Sequence, residues 1–196
     1  MGEKCPVMES ALIVSSSDKN SAYLADLLKT ASFTDISILG SCGEARRFLL
    51  ERELDLVVIN APLGDETGEN LSRHIASSHI AQVILLVRSE HFAAVSAICE
   101  GDGVLCVSKP MNRDVFWSAL SLARATGSRL RRIRGENERL KQKIEDIRII
   151  DRAKCILIAV MNMTEPDAHR YIEKQAMDMR QSKRVVAEGI LRTYEN

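Results

Sequence analysis

Three polar positions stand where apolar runs end. Asn60 closes the run Leu56, Val57, Val58, Ile59, and a loop carrying Pro62, Gly64 and Gly68 follows it. Ser15, Ser16 and Ser17 follow Ala11, Leu12, Ile13 and Val14, and Lys109 and Pro110 follow shortly after Val107. The stretch 55–68 has the shape of a phosphate-accepting strand end: an apolar run, one polar residue at its tip, then a Pro/Gly loop. The residue inside this frame is an amide. It has no anionic oxygen and is a poor nucleophile towards phosphorus. No Gly-rich phosphate loop or nucleophile–base set accompanies it. His74, His79, His91 and His169 lack metal-ligand spacing, and the five cysteines, Cys5, Cys42, Cys99, Cys106 and Cys155, form no CxxC pair. These residues predict a protein with no catalytic group, metal or cofactor, its thiols reduced in a cytoplasmic setting.

The elements that hold these positions are legible from periodicity. Apolar runs at 11–14, 36–39, 56–59, 82–87 and 103–107 read as strands. Helical patterns separate them: Tyr23, Leu24, Leu27 and Leu28 form one face, residues 45–50 lie in a second helix, and residues 71–78 and 92–100 supply two more. Buried β-rich runs alternating with amphipathic helices predict an α/β domain with a doubly wound, five-stranded parallel sheet. In such a sheet, chemistry gathers beyond the C-terminal strand ends. Ser15, Asn60 and Lys109 all fall there.

The remainder reads as helix. Leu130, Ile133, Asn137, Leu140, Ile144 and Ile147 recur at alternating spacings of three and four, a heptad seam. Asn137 occupies an a position, where a buried amide fixes the register of a two-stranded parallel coil. The seam therefore predicts a homodimer. The flanking charges do not decide the pairing, because Glu136 and Lys141 would attract across it while Lys143 and Arg148 would repel. Gly127 and Gly135 each weaken the helix by about 1 kcal/mol relative to Ala. Further on, Ile156, Leu157 and Val160 share a face. Thr164, Pro166 and Asp167 look like a helix start with capping-box spacing, and Ala168, Ile172 and Ala176 repeat every four residues. After a polar break at 180–183, Val185, Val186, Ile190 and Leu191 form a last apolar face. The division expected is an α/β domain at 1–123, a coiled-coil helix at 124–149 and a three-helix bundle at 150–196.

Charge follows the same division. The chain is neutral overall, yet residues 1–123 carry a net −6 and residues 124–196 a net +6. A basic end suits an anionic partner. No apolar run is long enough to span a bilayer, and residues 1–6 lead into no apolar signal segment.

Residues 10–125 resemble the receiver domain of bacterial two-component response regulators. Ser108, Lys109 and Pro110 resemble its Lys-Pro loop, Ser41-Cys-Gly-Glu-Ala45 its second strand-to-helix loop, and residues 55–68 its phosphorylation strand and the loop after it. Transferred residue by residue, the resemblance implies a degenerate phosphorylation site. Ser15 and Ser16 stand at the acidic pair that holds Mg²⁺, with Asp18 the nearest carboxylate if the register slips. Asn60 stands at the acceptor aspartate and Val87 at the phosphoryl-sensing Ser or Thr, so only Lys109 of the five is kept. Hydroxyls lack the charge that Mg²⁺ demands. Asp65 and Glu66 sit in the following loop rather than at the strand tip, a poor place for a substitute acceptor. The implication is a pseudo-receiver in which Lys109 bonds directly to Asn60.

The end of the chain resembles the ANTAR domain, the RNA-binding module of AmiR/NasR-type transcription antitermination regulators. The run Asp151-Arg-Ala-Lys-Cys-Ile-Leu157 resembles its opening, Thr164-Glu-Pro-Asp-Ala-His169 its central turn, Ala176-Met-Asp178 its signature, and Val186-Ala-Glu188 with Ile190 and Leu191 its ending. His169 stands where Tyr is common, and Ser182 and Lys183 replace a more usual basic-then-apolar pair. The resemblance implies binding to paired hairpins in nascent mRNA, displacing a terminator. Candidate contacts are Lys154, His169, Lys174 and Arg180, then Arg170, Lys183 and Arg184, with Ala168 allowing close approach. Lys and Arg would meet phosphate, and His169 would stack on or bond a loop base. A regulatory protein or ligand acting on the pseudo-receiver would replace phosphate as the signal. Two other classes fit the same residues: a DNA-binding response regulator using its last helices, and an adaptor acting through the coil and pseudo-receiver.

Overall fold

The computed structural model describes residues 10–78 and 81–194. Expectations resting on residues 1–6, Cys5 and His79 lie outside these. The chain divides into two compact units after Arg132.

The first unit is the α/β sheet domain. Strands β1 (Ser10–Val14), β2 (Asp35–Leu39), β3 (Leu56–Asn60), β4 (Gln82–Arg88) and β5 (Leu105–Lys109) form one sheet in the order β2-β1-β3-β4-β5. Every pairing is parallel. Helices α1 (Asp18–Thr30), α2 (Cys42–Glu51), α3 (Glu69–Ser78) and α4 (Ser89–Cys99) connect them, and α5 (Arg113–Met161) follows β5. The two-residue period of each strand divides its apolar side chains between two cores. Leu12, Val14, Val57, Ile59, Val83 and Leu85 meet side chains of α2, α3 and α4, including Leu49, Leu71 and Val95. Ala11, Ile13, Val58, Ile84 and Leu86 meet Leu24 and Leu28 of α1 and Phe116 and Leu120 of α5. Continuous apolar runs are what burial on both faces requires.

Two expectations need correction here. The fifth strand begins at Leu105, not residue 103, because Gly103 ends a 3-10 turn (Glu100–Asp102) in the left-handed region at φ 78°. That conformation suits Gly and interrupts an extended run. Tyr23 is not part of the buried face of α1: it is 47% exposed, while Ser21 and Ala25 are buried beside Leu24, Leu27 and Leu28.

The second unit packs the end of α5 against α6 (Glu165–Met179) and α7 (Lys183–Tyr194). Its core is Ala153, Leu157, Ala168, Ile172, Ala176, Val186 and Ala187. Coil and bundle are not separated by a helix break, since α5 runs unbroken for 49 residues through Gly127 and Gly135. Thr164 caps α6 by accepting from the Asp167 amide. The reciprocal half of the box differs from expectation: the Thr164 hydroxyl donates to the Asp167 carboxylate at 2.6 Å. The shorter Asp points at the hydroxyl, where a Glu would reach the capping amide. Among the described residues, no helix is long and apolar enough to cross a membrane.

Candidate switch site and nucleic-acid surface

The sheet brings Ser15, Asn60 and Lys109 to one edge, at the ends of β1, β3 and β5. They form one hydrogen-bonded line. Lys109 Nζ donates to Asn60 Oδ1 at 2.9 Å and also to the Ala61 carbonyl. Asn60 Nδ2 donates to Ser15 Oγ at 3.0 Å, and Ser15 Oγ accepts from the Ser17 amide at 3.3 Å. Asn60 and Ser15 are buried. The amide suits this place because it has one accepting and one donating end. Lys109 has no carboxylate within ion-pair reach among the described residues; burial, then the nearby Arg88 guanidinium, lowers its pKa below the ordinary lysine value. Val87 is buried and offers no hydroxyl, and Ser16 is exposed. The arrangement can hold the strand ends together through neutral hydrogen bonds and one cation. It offers no anionic oxygen.

The loop after β3 uses its carboxylates structurally. Asp65 accepts from the backbone amides of Cys42 (3.1 Å) and Gly43 (2.9 Å) at the start of α2, and these bonds lower its pKa. Glu66 makes a two-bond pair with Arg46 at 2.5 and 2.8 Å, which lowers its pKa too. Neither was anticipated as an anchor. Beside the line lies a cavity of about 120 Å³ bordered by Ala61, Pro62, Leu85, Val87, Arg88 and His91, among others. No run or motif marked Arg88 or His91, because the cavity arises only once β3 and β4 pair.

In the second unit the expected RNA contacts separate into groups. Lys174 and Arg180 are exposed and have no ion-pair partner among the described residues. Arg170 is exposed and lies 3.6 Å from the Asp167 carboxylate. His169 and Lys183 converge on Glu173: His169 Nε2 is 3.3 Å from Oε1, and Lys183 Nζ donates to the same oxygen. Lys154 is mostly covered, its side chain 16% exposed, and is held at 2.8 Å by both Asp151 and Glu165. Arg184 binds Asp146 of α5 and Glu188 of its own helix, each at 2.8 Å. Ala168 is corrected: it is fully buried among Ala153, Leu157 and Ile172, so its small size serves helix packing and not the approach of RNA. The four-residue spacings of His169 with Glu173 and Arg184 with Glu188 are visible in the sequence. The pairs between helices are not.

The seam residues of α5 are exposed together. Leu130, Ile133, Leu140, Ile144 and Ile147 are between 46% and 58% exposed, and Asn137 is exposed among them. Continued by heptads, the seam reaches Asp151 and Lys154, where polar residues replace apolar ones and the packed face of the second unit takes over.

Comparison with known proteins agrees with this geometry. Residues 138–191 match the family model of the ANTAR domain. The chain is 28% identical over 173 residues to the transcriptional regulatory protein PdtaR of Mycobacterium tuberculosis, covering 87% of this chain and 83% of the relative. The signal receiver domain of an HD domain-containing protein from Pseudomonas fluorescens Pf-5 superposes with a TM-score of 0.59 at 22% identity, covering 67% of this chain and 97% of its own. The response regulator StyR reaches a TM-score of 0.62 at 13% identity, covering 95% of this chain and 100% of its own. At these identities the two structures speak to fold alone, and the fold is that of receiver domains.

Proposed function

The chain carries an ANTAR domain behind a receiver fold, and from that premise we propose that it is an RNA-binding transcription antitermination regulator. In this reading residues 1–123 are a pseudo-receiver, 124–149 a dimerising coil and 150–196 the RNA-binding end. The ANTAR match is the observation that carries it. The protein works by binding, not catalysis, in the cytoplasm. It binds as a dimer to hairpins in nascent mRNA, and so favours continued transcription over termination.

Control comes from something other than aspartyl phosphorylation. The support is chemical: Asn60 has no attacking oxygen, and its amide is already committed to Lys109 and Ser15. A protein or small ligand acting on the receiver unit takes the place of phosphate. RNA binding itself is tested by titrating a pool of hairpin RNAs and duplex DNA of matching sequence at one salt concentration, since salt alone shifts such affinities strongly. Preferential retention of hairpin RNA is expected. Equal or tighter binding of the duplex would favour a DNA-binding regulator, and binding of neither would favour an adaptor.

A further inference from the structure

Of the acidic residues paired with the cations that the RNA reading needs, Glu173 touches two of them at once. Glu173 lies four residues after His169 on α6 and faces Lys183 at the start of α7. Both partners use a single oxygen, Oε1. The other oxygen, Oε2, has no hydrogen-bond partner among the described residues, and the side chain is 39% exposed. A surface that meets phosphates gains affinity from each cation. A carboxylate placed between two of them reduces that gain. Exposed ion pairs contribute little to stability, so stability is a weak reason for the carboxylate to stand there.

Geometry suggests a different use. A carboxylate only accepts, and it has about four lone-pair sites. Donors from two different helices hold Oε1, which fixes the direction in which Oε2 points. Phosphate oxygens offer no proton to such a group. The amines on the edges of unpaired bases do, and RNA loops expose those edges. Glu and Asp side chains read a base by accepting from its exocyclic amine.

We propose that Glu173 is a specificity-determining residue: its free carboxylate oxygen accepts from the exocyclic amine of an unpaired loop base, while Lys183, Lys174 and Arg180 meet the flanking phosphates. The proposal rests on the RNA-binding reading above. It assigns opposite tasks to two residues in direct contact, Lys183 for affinity and Glu173 for choice of sequence. His169 then positions the carboxylate as well as facing the loop.

The test uses the full chain. Hairpins with randomised loops are selected on the wild-type protein, and the enriched hairpin is compared with a scrambled loop on the same stem. Glu173→Ala, which removes the acceptor as well as the charge, should reduce the preference for the enriched loop by about tenfold and leave the scrambled loop bound equally or more tightly. Lys174→Gln, at an exposed lysine that does not touch Glu173, should weaken both loops alike and flatten the salt dependence. Loop nucleotides are then replaced one at a time by analogues lacking the exocyclic amine. One position should weaken binding of the wild type and have no effect on Glu173→Ala. If no position couples to Glu173, or if Glu173→Ala weakens both loops equally, the carboxylate only holds Lys183 and the proposal fails. If the wild type binds hairpins but enriches no loop, the proposal fails and the RNA-binding reading stands; if it retains no hairpin at all, the RNA-binding reading itself is rejected.

Discussion

At the scale of single residues, the strand-end site is decided by what Asn60 cannot do and by what it does instead. Its carbonyl satisfies Lys109 and its amino group satisfies Ser15. An aspartate would supply the missing nucleophile, but Mg²⁺ would still meet hydroxyls at Ser15 and Ser16, which hold it poorly. Acetyl phosphate with Mg²⁺ is therefore expected to leave no acid-labile adduct on the wild type or on Asn60→Asp, whereas the triple change Ser15→Asp, Ser16→Asp, Asn60→Asp should gain one. Intact-mass measurement reads the outcome, and stoichiometric labelling of the wild type would remove the pseudo-receiver reading. Arg180 makes a second case. It ends α6 in the left-handed conformation at φ 52°, with its amide and that of Gln181 closing onto Met177 and Ala176. A non-glycine residue gives up about 1–2 kcal/mol there. Glycine recovers most of that and loses part of it to a more flexible unfolded chain. Arg180→Gly should stabilise the protein by roughly 0.5–1 kcal/mol in denaturant unfolding and at the same time weaken hairpin binding. Stabilisation without loss of binding would mean that Arg180 does not touch RNA.

At the scale of elements, the inner strands β1, β3 and β4 are visible because burial on both faces demands an unbroken apolar run, as at 56–59; the edge strand β2, with no buried residue, shows only Ile36, Ile38 and Leu39 around Ser37. The apolar pattern puts the start of β5 two residues early because it does not register that Gly103 adopts a positive φ. Helix α6 was visible through Thr164, which caps it, and through Ala168, Ile172 and Ala176, which line its core face. The same repeat could not distinguish a core alanine from one clearing space for RNA, and burial assigns Ala168 to the core. Contacts between helices stayed hidden because they depend on tertiary distance. The joint between α5 and α7 is the clearest example: Asp146 accepts from Gln142 at 2.8 Å and from Arg184 at 2.8 Å. These bonds, Gln142 first, lower the Asp146 pKa below its ordinary 3.8. A carboxylate depressed in the folded state binds fewer protons there than when unfolded. Its stabilising contribution is thus complete above the ordinary value and is lost as pH falls through the depressed one. Acid titration of helical ellipticity should therefore fall less steeply below about pH 4 for Asp146→Asn than for wild type. Identical acid limbs would show that this joint adds nothing to the docking of α7.

At the scale of the whole molecule, the exposed seam of α5 is the feature on which the proposed dimer rests. Five aliphatic side chains in heptad register, each about half exposed, form an apolar stripe that water disfavours. A second copy of the same helix would cover such a stripe by placing each a and d residue into the facing hole. Asn137 interrupts the stripe in its middle. Paired with its twin in the proposed dimer it would cost stability, and it would penalise registers and higher oligomers in which the amides fail to meet. Two substitutions distinguish these contributions. Leu140→Asp places a charge in the seam and should yield monomers in sedimentation at micromolar concentration. On an RNA with two hairpins, the monomer should lose the gain from simultaneous binding, about 10²-fold or more, yet bind a single hairpin as the wild type does. Asn137→Val should do the reverse for stability: a higher melting temperature, accompanied by trimers or tetramers, because apolar packing improves while the register signal is lost. A wild-type chain that sediments as a monomer would sink the coil. A strictly dimeric Asn137→Val protein would keep the coil and remove Asn137 as its register device. The two-hairpin loss should track the monomer fraction across both variants, because the avidity gain requires two RNA-binding ends in one particle.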